Sequence, residues 1–315
     1  MKQKKKIMVM YYCIVIFSFL IGCLTHAKLS NEYAFLGLQT WFCQAIPALF
    51  PFMTLSGVII RMGLSERFAG VFHFLLKRVY GISKSCSYVI FMGFFCGFPM
   101  GSKTIAELYK RNRLSKAESR FLLAFCNNLG PAFFFGVVLT QHKIQNPLPW
   151  LLGSYGLPLF YGFFLRKTFF RNLYDQEIVV SAELSGKKLQ TAISMPFSEA
   201  LTASVENSME TILNLGGYMI LFSLLNVVPH VILQRPCPVL SPLFEITTGI
   251  KAMGASNPVY CFTCLAFGGL SCIAQTHASL SGTDLTKHLG EYVMHKILLT
   301  LFTFLYYHVL YSFSY

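Results

Sequence analysis

Charge is what this sequence has least of. Only 12% of its 315 residues are Asp, Glu, Lys or Arg, while 54% are hydrophobic and the mean hydropathy is +0.54. Soluble domains carry about 25% charged residues, so the chain lacks the polar surface that a particle facing water on all sides needs. Acids are the scarcer sign, 13 against 26 basic residues. The resulting net charge of +13 does not read as nucleic-acid binding. The basic residues sit in short clusters between apolar blocks, and no basic, aromatic-interleaved domain stands apart from them.

Catalytic signatures are missing too. There is no nucleotide P-loop, zinc-protease motif or G-x-S-x-G, and no nucleophile–base arrangement. ATP-driven pumping and hydrolysis have no support, and the chain is read as neither an enzyme nor a cofactor binder. Ten cysteines do not change this. Cys13, Cys96, Cys126 and Cys272 lie inside apolar stretches, where cysteine acts as a small hydrophobe. Cys261 and Cys264 form a C-x-x-C without the second pair or nearby His that a metal site needs, and are read as packing residues.

What is present is a series of long apolar blocks. Residues 7–24, 34–60, 148–165, 211–233, 258–280 and 297–313 are each long enough to cross roughly 30 Å of hydrocarbon as a helix. Helices are expected because an open strand edge in lipid leaves backbone groups unpaired. Residues 114–140 read as a further, broken helix, giving an all-α polytopic membrane protein with about seven transmembrane helices. Two other apolar stretches are too short to cross and are broken by Gly and Pro. Residues 88–101 contain Gly93, Gly97, Pro99 and Gly101; residues 239–253 contain Pro242, Glu245 and Gly249. Both read as re-entrant segments, which must be buried in protein.

Lys2, Lys4, Lys5 and Lys6 followed by an apolar run and Leu20-Ile21-Gly22-Cys23 resemble a lipoprotein signal. The run is longer than a signal core, so an uncleaved first transmembrane helix is the adopted reading. With the N-terminus inside, the inner segments (1–6, 61–88, 101–120, 166–200 and 282–296) carry 22 Lys and Arg. The outer ones carry only Lys28, Lys143, Arg235 and Lys251, a strong positive-inside bias. The expected organisation is an N-terminal helix over 1–33, a first unit over 34–165, a basic inner linker over 166–198 and a second unit over 199–315. The linker carries Asp175, Glu177, Ser181, Ser185-Gly186 and Lys187-Lys188, and an amphipathic helix from Phe197 leads into the next span.

The two units have the same plan in opposite orientation: a span, a re-entrant segment, then a broken helix. Leu123-Ala124-Phe125 echoes Leu265-Ala266-Phe267, and each is followed by helix-breaking residues, Cys126-Asn127-Asn128-Leu129-Gly130-Pro131 and Gly268-Gly269-Leu270-Ser271. Inverted repeats with paired interrupted helices are how many secondary transporters build a central solute site. Glu245 is the sole acid in an apolar membrane segment, hence a functional candidate, or else the acid that stabilises its own turn. Asn127 and Asn128 suit a neutral polar ligand, or cap the half-helices. With Glu245, Thr247, Thr248 and Gln275 they form the expected solute site. Gly97, Pro99, Gly101, Gly130, Pro131, Gly249, Gly268 and Gly269 provide the turns, and Lys103 gates the inner side. His277 points into the same cavity or sits at the inner interface. Lys103 and Glu107, spaced i,i+4, read as an exposed helix pair, and 104–120 as a solvated inner hairpin.

Four motifs carry a resemblance. Cys96-Gly97-Phe98-Pro99-Met100-Gly101-Ser102-Lys103, the Leu123–Pro131 string, Glu245-Ile246-Thr247-Thr248-Gly249 and Phe267-Gly268-Gly269-Leu270-Ser271 occur in order. Over about residues 35–310 the chain resembles the YlbJ-type sporulation integral membrane proteins, which contain nucleoside-recognition (Gate) domains related to parts of concentrative nucleoside transporters. The resemblance implies a nucleoside-transporter-like fold, the cytoplasmic membrane of an endospore-forming bacterium and a role in sporulation. It implies as partners the lipid bilayer and a small polar solute, nucleoside-like, with a coupling ion. A homo-oligomer or other sporulation membrane proteins complete the expected partners. The rival expectation is a non-transporting scaffold for spore envelope assembly that recruits partners through the basic surface of 61–84 and 103–120.

Overall fold

A computed structural model describes residues 2–171, 173 and 195–314. The linker positions singled out above, from Asp175 to Lys188, lie outside the described residues. Among the described residues every regular element is a helix. Six helices are long and apolar enough to cross a membrane: Lys6–Thr25, Ala27–Arg61, Leu148–Lys167, Phe197–Leu233, Pro258–Leu280 and Asp284–Ser312. The chain is a polytopic all-α membrane protein. The seventh expected helix, over 114–140, is two pieces separated by an irregular stretch.

The first helix, α1 (Lys2–Thr25), runs through Cys23. No residue from Lys6 to Thr25 is buried, and Phe17 and Leu24 are 66% and 77% exposed. A helix apolar all round and unburied by protein belongs in lipid. The second helix, α2 (Ala27–Arg61), starts seven residues before the expected 34. It widens into a π turn at Trp41–Ala45, just before Pro47, and carries Pro51 inside. Such turns absorb backbone groups that proline leaves unpaired. After it, α3 (Ser65–Tyr80) is amphipathic.

Next comes a helical hairpin, α4 (Lys84–Phe95) and α5 (Met100–Lys110), longer than the expected 88–101. Ser83 caps α4 by accepting from Cys86 N at 3.3 Å. The hairpin is walled in by protein: Ser85 to Ile90, Met92 and Gly93 are all buried. Contrary to the expected solvated hairpin over 104–120, Thr104, Ile105, Ala106 and Leu108 are buried, and exposure is confined mainly to the turn at Lys110–Arg113. Then α6 (Lys116–Leu123) opens with a capping box between Ser115 and Glu118. Buried Glu118 also accepts from Ser83 Oγ (2.9 Å) and Cys86 Sγ (3.1 Å), tying the starts of α4 and α6 together. The chain is irregular to Gly130, and helix α7 follows as Pro131–Phe133 and the π turns Phe134–Leu139. Proline at the first helical position has no N–H to orphan.

The helix α8 (Leu148–Lys167) completes the first half. The expected amphipathic helix and the next span are one continuous helix, α9 (Phe197–Leu233). Packed antiparallel to α2, it is fitted by small residues, as membrane helix pairs are. A Cβ on Gly37 would lie 2.9 Å from Ile220 Cα, and one on Gly57 2.8 Å from Ser204 Oγ. Trp41 sits over Gly216 and donates to Ile212 O at 2.8 Å. The short α10 (Ser241–Phe244) and α11 (Ile246–Met253) follow, then α12 (Pro258–Phe267) and α13 (Gly269–Leu280), broken at Gly268, and finally α14 (Leu289–Ser314). Cys261 and Cys264 are buried with Phe134, Val138 and Phe262 in one apolar cluster, as packing residues would be.

Candidate functional site

The hairpin tip, both helix interruptions and the α10–α11 turn converge. At the tip, Gly97 takes φ +84°, a backbone state that costs other residues dearly. The arms then close on the first interruption. A Cβ on Gly93 would lie 1.9 Å, and one on Gly101 2.2 Å, from the Cys126 carbonyl oxygen. Gly97 and Gly130 touch backbone to backbone, and Gly268 (φ +82°) lies against the Phe98 ring. Gly249 packs on the backbone of Pro242, and Gly269 on the Pro242 carbonyl. Of the residues expected to provide turns, Gly97, Gly268 and Gly269 have positive φ, while Gly101 and Gly249 lie inside α5 and α11, where they permit close approach.

Two cavities flank this junction. The first, about 500 Å³, has aromatic walls from Phe52, Phe95, Phe98 and Phe133; Gly130 and Pro131 also line it. Its polar groups are Thr40, Gln44, Glu245, Thr247 and Gln275. The second, about 520 Å³, is polar, with Arg61, Lys103, Lys110 and Arg111 beside Glu107 and Glu210; Pro99 belongs to its wall. Both volumes fall in the range of small-molecule sites. Gln275 and Leu215 line both cavities and so form part of the partition between them.

The structure brings together only part of the expected solute site. Glu245 is 1% exposed and closes the N-terminus of α11. Its carboxylate accepts from Thr247 N (3.2 Å), Thr248 N (2.7 Å) and Thr247 Oγ1 (2.6 Å). An acid at a helix N-terminus satisfies orphan donors and meets the positive end of the dipole. The turn-stabilising alternative therefore describes it, and it lines the aromatic cavity as well. Gln275 donates to Ser271 Oγ at 2.8 Å.

Asn127, Asn128 and Thr248 line neither cavity. Asn127 is fully buried. It donates to Thr276 Oγ1 (2.8 Å) and Tyr292 OH (3.2 Å), and its Oδ1 accepts from Ser102 N at 3.4 Å. It thus joins the hairpin, the first interruption, α13 and α14. Asn128 donates to Phe125 O at 2.7 Å, a local bond in the irregular stretch past the end of α6. Buried amides must find such partners, and protein groups supply them here. Thr248 Oγ1 pairs with Ser223 Oγ at 3.1 Å. His277 is exposed and lines neither cavity. Lys103 and Glu107 are not an exposed pair: Glu107 is bound by Arg61 at 3.2 Å, while Lys103 Nζ reaches Thr211 Oγ1 on α9 at 2.8 Å.

Two residues were not anticipated. Gln44, on the π turn of α2, lines the aromatic cavity, and its Oε1 is buried with no hydrogen-bond partner among the described residues; a polar side chain three residues before Pro47 in an apolar run was the available signal. Lys296, counted above among inner loop charges, is 1% exposed inside the helix bundle.

A family model described as Gate, nucleoside recognition, matches residues 42–142, from the π turn of α2 through the hairpin to just beyond α7. Among curated proteins, the sporulation integral membrane protein YlbJ of Bacillus subtilis (strain 168) is 28% identical over 301 residues, covering 83% of this chain and 73% of the relative. No solved structure matches. The chain is a polytopic membrane protein whose residues 42–142 resemble the Gate nucleoside-recognition model and which is similar over most of its length to the sporulation protein YlbJ.

Proposed function

We propose that this protein binds or moves a small polar solute, nucleoside-like in chemistry, in the cytoplasmic membrane of a sporulating bacterium, without catalysing a reaction. The observation that carries this reading is the shared wall. A polar and an aromatic cavity meet at Gln275, within a junction built from two interrupted helices and a hairpin tip, the architecture that suits alternating exposure of one site. The antiparallel packing of α2 on α9, the first span of each unit, supports the inverted repeat. The basic residues ringing the polar cavity, among them Arg61, Lys110 and Arg111, support an inner location for that end and hence an inner N-terminus.

The aromatic cavity suggests the solute's chemistry. Four phenylalanine rings offer stacking faces. The unpartnered Gln44 Oε1 can accept a hydrogen bond, while Thr247 and Gln275 can donate or accept. A flat heterocycle with hydroxyl groups fits that set better than a small ion does. The sporulation setting rests on the likeness to YlbJ, and the nucleoside class on the description of the Gate family.

Thermal unfolding of the purified protein across nucleosides, nucleobases and small organic acids tests this. A ligand at 100 times its dissociation constant stabilises by about 2.7 kcal/mol. The expected result is a shift with one heterocyclic class, lost in Gln44→Leu. A folded protein that responds to no solute would favour the scaffold reading, whose own signature is loss of function on charge reversal at Arg113 and Lys116, which line neither cavity.

A further inference from the structure

Lys296 lies on α14, one residue before the apolar run that begins at Ile297, and is 1% exposed. Its Nζ donates to Asn127 O at 2.5 Å and Ala266 O at 3.3 Å, with Asn128 Oδ1 at 3.4 Å. The Phe98 ring centroid is 4.7 Å away and that of Tyr292 6.0 Å. Among the described residues no carboxylate forms an ion pair with it.

The acceptors have a common origin. Ala266 is in the last turn of α12, which Gly268 ends, and Asn127 is in the irregular stretch just past the end of α6. Carbonyls at helix ends have no intrahelical partner and carry the negative end of the dipole. Two interrupted helices therefore aim oxygen atoms at one buried point, with aromatic faces closing it. Unwound carbonyls and half-helix C-terminal ends are the groups with which membrane transport proteins hold monovalent cations. Here the point is filled by the chain's own ammonium group.

We propose that the two helix interruptions form a monovalent-cation site and that the Lys296 ammonium occupies it as a tethered cation, so that the wild-type chain neither requires nor admits free Na⁺ or K⁺ there. The inference goes beyond the solute reading and is tested without any solute, so either can fail alone. An uncompensated charge at this depth is costly. The carbonyl cage is the compensation, and removing the side chain leaves that cage unsatisfied.

The test is a thermal unfolding series on the full-length purified protein in sodium, potassium, methylammonium and choline chlorides at equal ionic strength. The wild type is expected to unfold at one temperature in all four. Lys296→Ala should unfold lower in choline. Methylammonium or a small metal cation should raise it saturably, by about 4 °C or more. Lys296→Met fills the space with an apolar chain and should show no cation-specific rise. A Na⁺- or K⁺-specific rise in the wild type would overturn the proposal, as would a folded Lys296→Ala variant indifferent to all four salts. If Lys296→Ala folds poorly, its folded yield in methylammonium against choline becomes the readout: rescue supports the proposal, and equal loss in both overturns it.

Discussion

The α4–α5 hairpin and the α10–α11 segment occupy corresponding places before an interrupted helix, yet they are held in different ways. The first has arms of 12 and 11 residues, buried along much of their length, with Gly93 and Gly101 pressed on the Cys126 carbonyl. The second has arms of only 4 and 8 residues, and its turn is fixed by one carboxylate on two backbone N–H groups and a hydroxyl. Backbone in contact with backbone cannot yield without unpacking. A carboxylate can exchange one donor for another, so the second segment is the place where a competing hydroxyl or N–H of a solute could alter the protein.

Gly101→Val breaks the comparison at its stiff end. Its side chain has nowhere to go but the Cys126 carbonyl, and the loss should be about 3 kcal/mol or more, read as a collapse of the unfolding midpoint or of folded yield. Glu245→Ala at the soft end should cost about 1–2 kcal/mol, the value of a lost cap, and leave a folded protein. If the two losses came out equal, the distinction between the segments would not stand. Gln275→Leu sharpens the comparison further. It should change stability by less than about 1 kcal/mol, since one buried hydrogen bond is exchanged for apolar contact, while abolishing any solute-induced shift. Smallest of all should be Arg113→Ala, beyond the hairpin. Its 3.2 Å pair with Glu66 joins side chains 39% and 44% exposed, and such pairs contribute about 0–1 kcal/mol; thermal unfolding should barely register it.

The sequence made the membrane class, the two interruptions and the hairpin tip legible, because each is written in local chemistry: apolar runs, Asn127-Asn128 before Gly130-Pro131, and Gly97 to Pro99. Glu245 was legible as an unusual acid and as the keeper of its own turn. The direction in which Asn127 points was not, since its partners Thr276, Tyr292 and Ser102 come from three other elements. Lys296 was hidden for a related reason. Placed at the edge of an apolar block, it has the pattern of a loop cation, and only the folded chain brings carbonyls from residues 127 and 266 to it. Helix length is less legible where charge marks a boundary: the span expected from residue 34 extends back past Glu32 and Lys28 in α2, whereas the helix expected from Phe197 does run on through Glu199, Glu206 and Glu210 as α9.

Gln275 and Leu215 belong to the walls of both cavities, and a boundary held in common cannot be moved for one side alone. Space gained by the aromatic cavity through a shift of this wall is taken from the polar one. Occupancy of one cavity that displaces these side chains therefore changes the affinity of the other, and by thermodynamic linkage the influence runs back with equal size. Two ligands on opposite sides of this partition would thus behave as a coupled pair, even if they never touched.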